Sequence, residues 1–145
     1  MLTFSKMTDE QISGGDFASQ ALSDCAGQPD FRKLQADASL FAAWLDGECI
    51  GIAALSKRLS ELQPTSGIVT LLAVLPKYRR QGVGRMLMGL LAGAAMEQGA
   101  YFLRGSIPAS PEATAFAAKI GFRAETGDTG FLLLDLTDTS GLRQH

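Results

Sequence analysis

The sequence predicts an α/β (α+β) domain, a mixed and mostly antiparallel sheet of about six to seven strands joined by helices. Three observations carry this. LFAAWLDGECIGIAAL sets two apolar runs on either side of Asp46-Gly47, the dipeptide that suits a two-residue type I′ turn because both positions need positive φ. GIVTLLAVL (67–75) is β-branched at its start and apolar on both faces, as an interior strand is, and leads through a basic, glycine-containing loop into helical spacing. FRAE and FLLLDL, separated by Gly127-Asp128-Thr129-Gly130, make a closing hairpin.

Each element follows in order. LTFSKM opens as a short strand, and Thr8 caps a polar helix start at Asp9 and Glu10. From Gly14 to Asp37 the chain is mixed, with glycines and Pro29 punctuating short helical pieces such as Phe17 to Cys25. The hairpin covers Leu40 to Leu45 and Glu48 to Leu55 or beyond. Pro76 ends the central strand because proline cannot donate to a ladder. Val83, Met86, Leu87, Leu90, Leu91, Ala94 and Ala95 then keep i, i+3, i+4 spacing, with Gly99 as the C′ residue. Gly89 and Gly93 share another face of that helix, and their cost in helix propensity predicts close approach of that face to a sheet. AYFLRGSI is the next strand. Ser110, Pro111 and Glu112 read as an N-cap, a proline at N1 and a first-turn acid, and Gly121 with Phe122 as a Schellman ending. Residues 1–139 are expected to form one domain and 140–145 a loose tail.

Composition excludes several function classes. A net charge of −2, from 13 basic and 15 acidic residues, supplies no overall field for nucleic acid. Two cysteines are too few for a disulfide framework, and a single histidine leaves no metal or Ser-His-Asp constellation. The amino terminus lacks a basic-then-apolar leader and Met86 to Met96 is too short to span a bilayer, so a cytoplasmic, non-membrane protein is expected.

The densest local charge is Lys77, Arg79, Arg80 and Arg85, around PKYRRQGVG. A Walker A loop is absent, and a dinucleotide fingerprint fails because Leu87 stands where a small residue is needed. What fits is a strand, a short loop and a helix N-terminus, where Gly82 and Gly84 lack a Cβ and a pyrophosphate can reach the amides of Gln81 to Arg85. On spacing alone, a plain tight turn with solvated arginines explains the same residues.

Arg79-Arg80-Gln81-Gly82-Val83-Gly84 resembles the [RQ]-x-x-G-x-[GA] signature of the GNAT superfamily of acyl-CoA N-acyltransferases. Leu72 to Gly84 resembles that family's strand, bulge and pyrophosphate loop, and Ala113 to Phe122 its second motif. The resemblance covers roughly Leu40 to Leu136. It implies the GNAT fold, with helices on both faces of the sheet and the central strand and the next one splayed into a V that receives acetyl-CoA. It further implies that Leu72, Ala73 and Val74 offer backbone groups to the pantetheine and acyl carbonyl. Arg79, Arg80, Gln81, Gly82, Val83, Gly84 and Arg85 would hold the pyrophosphate, Ser110 would lie near the pantetheine arm, and Phe116 beside the thioester.

The chain departs from the family where acid–base chemistry sits. The family's frequent tyrosine falls at Ala117, and Gly67 to Leu75 carries no ionisable residue in place of a basic glutamate. Substitutes are poor: Tyr101 reads as a partly buried sheet residue, Tyr78 as packing over the helix end, Ser110 as a cap, Glu48 and Glu61 as solvated edge charges. Cys49 reads as an inert core thiol and Trp44 as core; Cys25 is left open. The catalytic residues are therefore unassigned. Two functions follow from the resemblance: an N-acetyltransferase acting on an unidentified amine by direct attack, or a non-catalytic acetyl-CoA-binding regulator of a partner protein. The apolar FLLLDL, read as an edge, could pair with a second copy.

Overall fold

In a computed structural model, residues 1–8, 36–61, 64–106, 111–124 and 131–137 are described. Their strands form one seven-stranded sheet in the order β1-β2-β3-β4-β5-β7-β6. The strands are β1 (Leu2–Lys6), β2 (Ala38–Leu45), β3 (Glu48–Ser56), β4 (Ser66–Val74), β5 (Phe102–Ser106), β6 (Arg123–Ala124) and β7 (Phe131–Asp135). Every neighbouring pair is antiparallel except β4 with β5. Helix α1 (Val83–Glu97) makes the crossover that this parallel pair requires, and α2 (Pro111–Ile120) follows β5.

Local chemistry explains the boundaries. The β2–β3 turn has Asp46 at φ 50° and Gly47 at φ 85°, the two positive values of a type I′ turn. Both helices end in Schellman motifs. In α1, Ala100 N–H donates to Ala95 and Gly99 N–H to Met96; in α2, Phe122 N–H donates to Ala117 and Gly121 N–H to Ala118. Gly99 (φ 93°) and Gly121 (φ 121°) supply the left-handed residue each motif needs.

Strand β3 is buried on both faces. On one side Ile50, Ala53 and Leu55 pack under Val83, Leu87, Leu91 and Ala95 of α1, and Ile120 of α2 joins the same cluster. On the other, Leu40, Ala42, Cys49, Ile52 and Ala54 form a second buried cluster with Met7. The expected helix start at Asp9 and the helical piece from Phe17 to Cys25 lie outside the described residues, as do Ser110 and the tail.

Three expectations need correction. Gly89 and Gly93 do not face the sheet: a Cβ at either would meet nothing within 4 Å. The close approach is made by glycines of the sheet instead. A Cβ on Gly51 would stand 3.1 Å from Leu87 Cδ1, and one on Gly67 would stand 3.0 Å from Ala95 Cβ. Met86 is turned outward at 54% exposed, and Met88 takes the inner position at 2%. Finally, β7 is no edge: it lies between β5 and β6, with Leu134 buried and Phe131, Leu132 and Leu133 half-buried.

Candidate active site

Strand β4 leaves its neighbour early. It pairs with β5 only at Ser66–Phe102, Gly67–Leu103 and Ile68–Arg104, although β4 continues to Val74 and β5 to Ser106. The two strands therefore diverge into a V whose apex lies at Ile68. A bulge sits just past that apex. Ala54 pairs with Leu71 but Leu55 with Val69, so Thr70 has no partner on β3. An extra residue bends its strand and increases local twist, which carries β4 away from β5. The Thr70 hydroxyl donates to the Ala54 carbonyl at 3.2 Å and ties the bulge to β3.

The ladder phase decides which backbone groups face the V. Leu75 N–H donates to Ile50 O at 2.9 Å, so Leu75, Ala73 and Leu71 turn their own groups toward β3. Leu72 and Val74 turn theirs to the open side. The Val74 carbonyl is already engaged, accepting from Arg79 Nε at 3.0 Å. Of the three residues expected to offer backbone groups, Leu72 and Val74 thus project them into the V, while those of Ala73 are spent within the sheet.

At the mouth of the V, Pro76–Tyr78 form a single 3-10 turn and the chain enters α1 through Arg79–Gly82. Arg80 has φ 64° and Gly82 φ 84°, with no positive φ at Gln81 between them. Such alternation curls successive N–H groups into an anion-binding concavity. Gly82 caps α1 without any side-chain hydrogen bond, and its carbonyl accepts from Met86 N–H at 3.1 Å. The amides of Val83 and Gly84 are first-turn donors that no intrahelical carbonyl serves. The helix dipole adds partial positive charge there, and no acid lies in the first turn to cancel it.

The two loop glycines differ in purpose. A Cβ on Gly82 would meet nothing within 4 Å, so that residue is needed for its backbone conformation and leaves the loop surface open. A Cβ on Gly84 would stand 3.0 Å from Phe116 Cζ: its bareness admits the Phe116 ring, a role the spacing did not suggest. Around this loop Arg79 is held over the strand end, and Arg80 Nε lies 3.9 Å from Glu112 Oε1, both well exposed. Gln81 Nε2 donates to Lys77 O at 3.3 Å, closing the turn.

Inside the V lies a cavity of about 270 Å³. Strand β4 contributes Val69 to Leu72, β5 contributes Gly105 and Ser106, and α2 contributes Ala113, Phe116 and Ala117. Met88, Phe122 and Leu132 also line it. None of these is ionisable. Phe116 and Ala117 are thus brought to the cavity with Leu72, while Gly82 and its arginines stand at its mouth. Ser110 falls outside the described residues. Sequence reasoning missed Thr70 and Met88. A lone hydroxyl inside an apolar strand was the available signal for the first, and nothing marked the second.

The other candidates lie elsewhere. Tyr101 is 60% exposed rather than partly buried, at the end of β5 away from the V. Tyr78 is half-buried against the main core, with Lys77 Nζ 5.4 Å from its ring centroid. Glu48 and Glu61 are exposed and do not line the cavity. Trp44 is half-buried, its Nε1–H donating to Ser5 Oγ at 3.2 Å. Cys49 is buried; desolvation pushes its thiol up to about 11, a backbone hydrogen bond at Gly51 opposes this, and the Glu48 charge adds to it. Among the described residues there is no group of His, Cys, Asp and Glu that could hold a metal, and no helix long and apolar enough to cross a membrane.

The acetyltransferase (GNAT) family profile matches residues 10–122. No curated protein matches the chain. Among solved structures, the ribosomal-protein-S18-alanine N-acetyltransferase from Escherichia coli is similar at a TM-score of 0.73 and 20% identity, covering 94% of each chain. A GNAT family acetyltransferase from Brucella melitensis in complex with acetyl-CoA matches at 0.69 and 16% identity, over 93% of this chain and 88% of that one. One from Elizabethkingia anophelis with acetyl-CoA bound matches at 0.69 and 17% identity, over 92% and 97%. At these identities the likeness is one of fold.

Proposed function

The chain belongs to the acetyltransferase (GNAT) family, and on that premise we propose that it binds acetyl-CoA in the V and transfers the acyl group to an amine. The observation that carries this is the alignment of two features along β4. An open anion-binding concavity at Arg80–Gly82 lies at one end, and a cavity with backbone groups of Leu72 and Val74 along its approach lies at the other. The diphosphate takes the amides of Gln81 to Gly84 with Arg79, Arg80 and Arg85 around it, and the pantetheine arm runs along β4 toward the apex. Ser110 is assigned to the flank of that arm, and Phe116 to the thioester end.

The reaction asks little of side chains. The neutral amine nitrogen attacks the thioester carbonyl carbon, the C–N bond forms and the C–S bond breaks. Coenzyme A leaves as a thiolate that, with a pKa near the ~8.5 of a free thiol, needs only modest help. The proton lost by the amine goes to water and then to the thiolate. A backbone N–H on the V side of β4 stabilises the carbonyl oxygen as charge develops, and the rate comes mainly from holding both reactants in place.

Among the described residues, none that lines the cavity is ionisable, and this favours a second reading, an acetyl-CoA-binding regulator of a partner protein. Calorimetric titration of acetyl-CoA into the protein, and into the Gly82→Val/Arg79→Ala double variant, tests the shared premise. Micromolar binding that the variant loses is expected, and no heat with the native protein refutes both readings. An amine panel monitored by free thiol release then separates them. Turnover supports transfer, and tight binding without turnover, together with a partner retained only when acetyl-CoA is present, supports regulation.

A further inference from the structure

The cavity at the apex is larger, and more hydrocarbon in character, than a two-carbon acyl group requires. The cavity is half-open: Thr70, Gly105 and Ser106 line it from the sheet, and Met88, Phe116, Ala117, Phe122 and Leu132 supply its apolar side chains. Ala117 decides the space. It is 8% exposed and lines the cavity, so any larger side chain there would occupy the volume its methyl group leaves. Met88, 2% exposed and unbranched, gives that wall a side chain able to adapt to what it contacts. An apolar space beside a short acyl group holds water poorly and forfeits contacts if left empty.

We infer that this site takes aliphatic acyl-CoA thioesters longer than acetyl, the chain lying against Met88, Ala117 and Leu132. An apolar cavity of ~150 Å³ accepts a six-carbon ring. With about 270 Å³ here, the thioester end and a straight chain of roughly four to six carbons fit together. The inference rests on the reading of the V as an acyl-CoA site. The transfer itself is unchanged: the acyl carbon exchanges its bond to sulfur for one to the amine nitrogen, and only the tail differs.

Calorimetric titration of the intact protein with coenzyme A and with its acetyl, butanoyl, hexanoyl and decanoyl thioesters tests it. Each buried methylene is worth up to about fourfold in affinity, so butanoyl-CoA is expected to bind roughly tenfold tighter than acetyl-CoA. Hexanoyl-CoA binds tighter still, and decanoyl-CoA falls back because the cavity is finite. Ala117→Phe fills the space, and the hexanoyl-to-acetyl ratio collapses to near one. Ala113→Leu, at the half-exposed rim, shortens the optimum should the first variant fail to fold. A series in which free coenzyme A and every thioester bind alike overturns the inference and leaves the cofactor site standing. So does an affinity that rises through decanoyl and ignores both variants, which is surface adsorption. Failure of coenzyme A and all thioesters to bind overturns the inference and the cofactor reading together.

Discussion

Replacing Gly67 by alanine and Gly93 by alanine should change stability in opposite directions. Gly67 lies on β4 beneath α1, where a new Cβ would stand 3.0 Å from Ala95 Cβ, 3.4 Å from Leu103 Cδ2 and 3.5 Å from Leu55 Cδ1. The two leucines can rotate. Ala95 cannot, and it is fully buried, so the helix itself must move. Overpacking of this kind costs about 1–3 kcal/mol, and relief of glycine's entropy in a strand returns about 0.5–1 kcal/mol, leaving a net loss of about 1–2 kcal/mol. At this chain length that lowers Tm by roughly 2–8 °C. Gly93 stands in open space on the outer face of the same helix, and alanine there gains about 0.8–1 kcal/mol of propensity, raising Tm by roughly 2–4 °C. Thermal unfolding followed by far-UV circular dichroism, with urea midpoints at 25 °C, reads both. A Gly67→Ala protein as stable as the parent would refute the close packing of α1 on β4. A destabilised Gly93→Ala would show that the outer face of α1 is covered.

Three further outcomes follow from the site. Gly82→Val should abolish detectable acetyl-CoA binding in calorimetry with a stability loss of only about 1–2 kcal/mol, because a β-branched residue cannot hold φ 84° and the concavity must open; retained affinity would remove the loop from the site. Thr70→Val, nearly isosteric, deletes the hydroxyl bond to Ala54 O and should cost about 1 kcal/mol in urea unfolding, with acyl-CoA affinity falling alongside if the bulge sets the V. Cys49 should resist thiol reagents in the native state at pH 8 and react only on unfolding. Its folded pKa of about 11 lies above the 9.0 of the unfolded thiol, so the stability it contributes is complete below pH 9 and is lost as pH rises from 9 toward 11; a Cys49→Ala variant should show a shallower alkaline decline.

Much of the architecture was legible because it rests on short-range rules. Asp46-Gly47 demanded a turn with two positive φ values, Gly99 and Gly121 demanded helix endings, and Pro111 a helix start. The basic and glycine residues of the loop were legible too, but the positive φ at Arg80 was not, because nothing in that residue type calls for it. What failed was the assignment of faces. Gly89 and Gly93 looked like packing glycines, but the helix phase is set by which stripe meets Gly51 and Gly67 on distant strands. FLLLDL looked like an exposed edge, yet β5 pairs along Phe131 to Asp135 on one side and β6 pairs with Leu132 and Leu133 on the other.

The sequence by itself determined the loop's residues, the turns, the helix limits and, through its family motif, the fold. Those depend on residues within a few positions of one another. Tertiary structure decided that β4 and β5 part after Ile68, that Thr70 is the extra residue, and that Leu72 and Val74 rather than Ala73 face the opening. It also decided that Gly84 serves Phe116, and that Ala117 opens a cavity with Met88 and Leu132. Each of these depends on the register between strands and on the fit of a helix onto a sheet. Register is a relation between segments far apart in the chain, and no local pattern of residues encodes it alone.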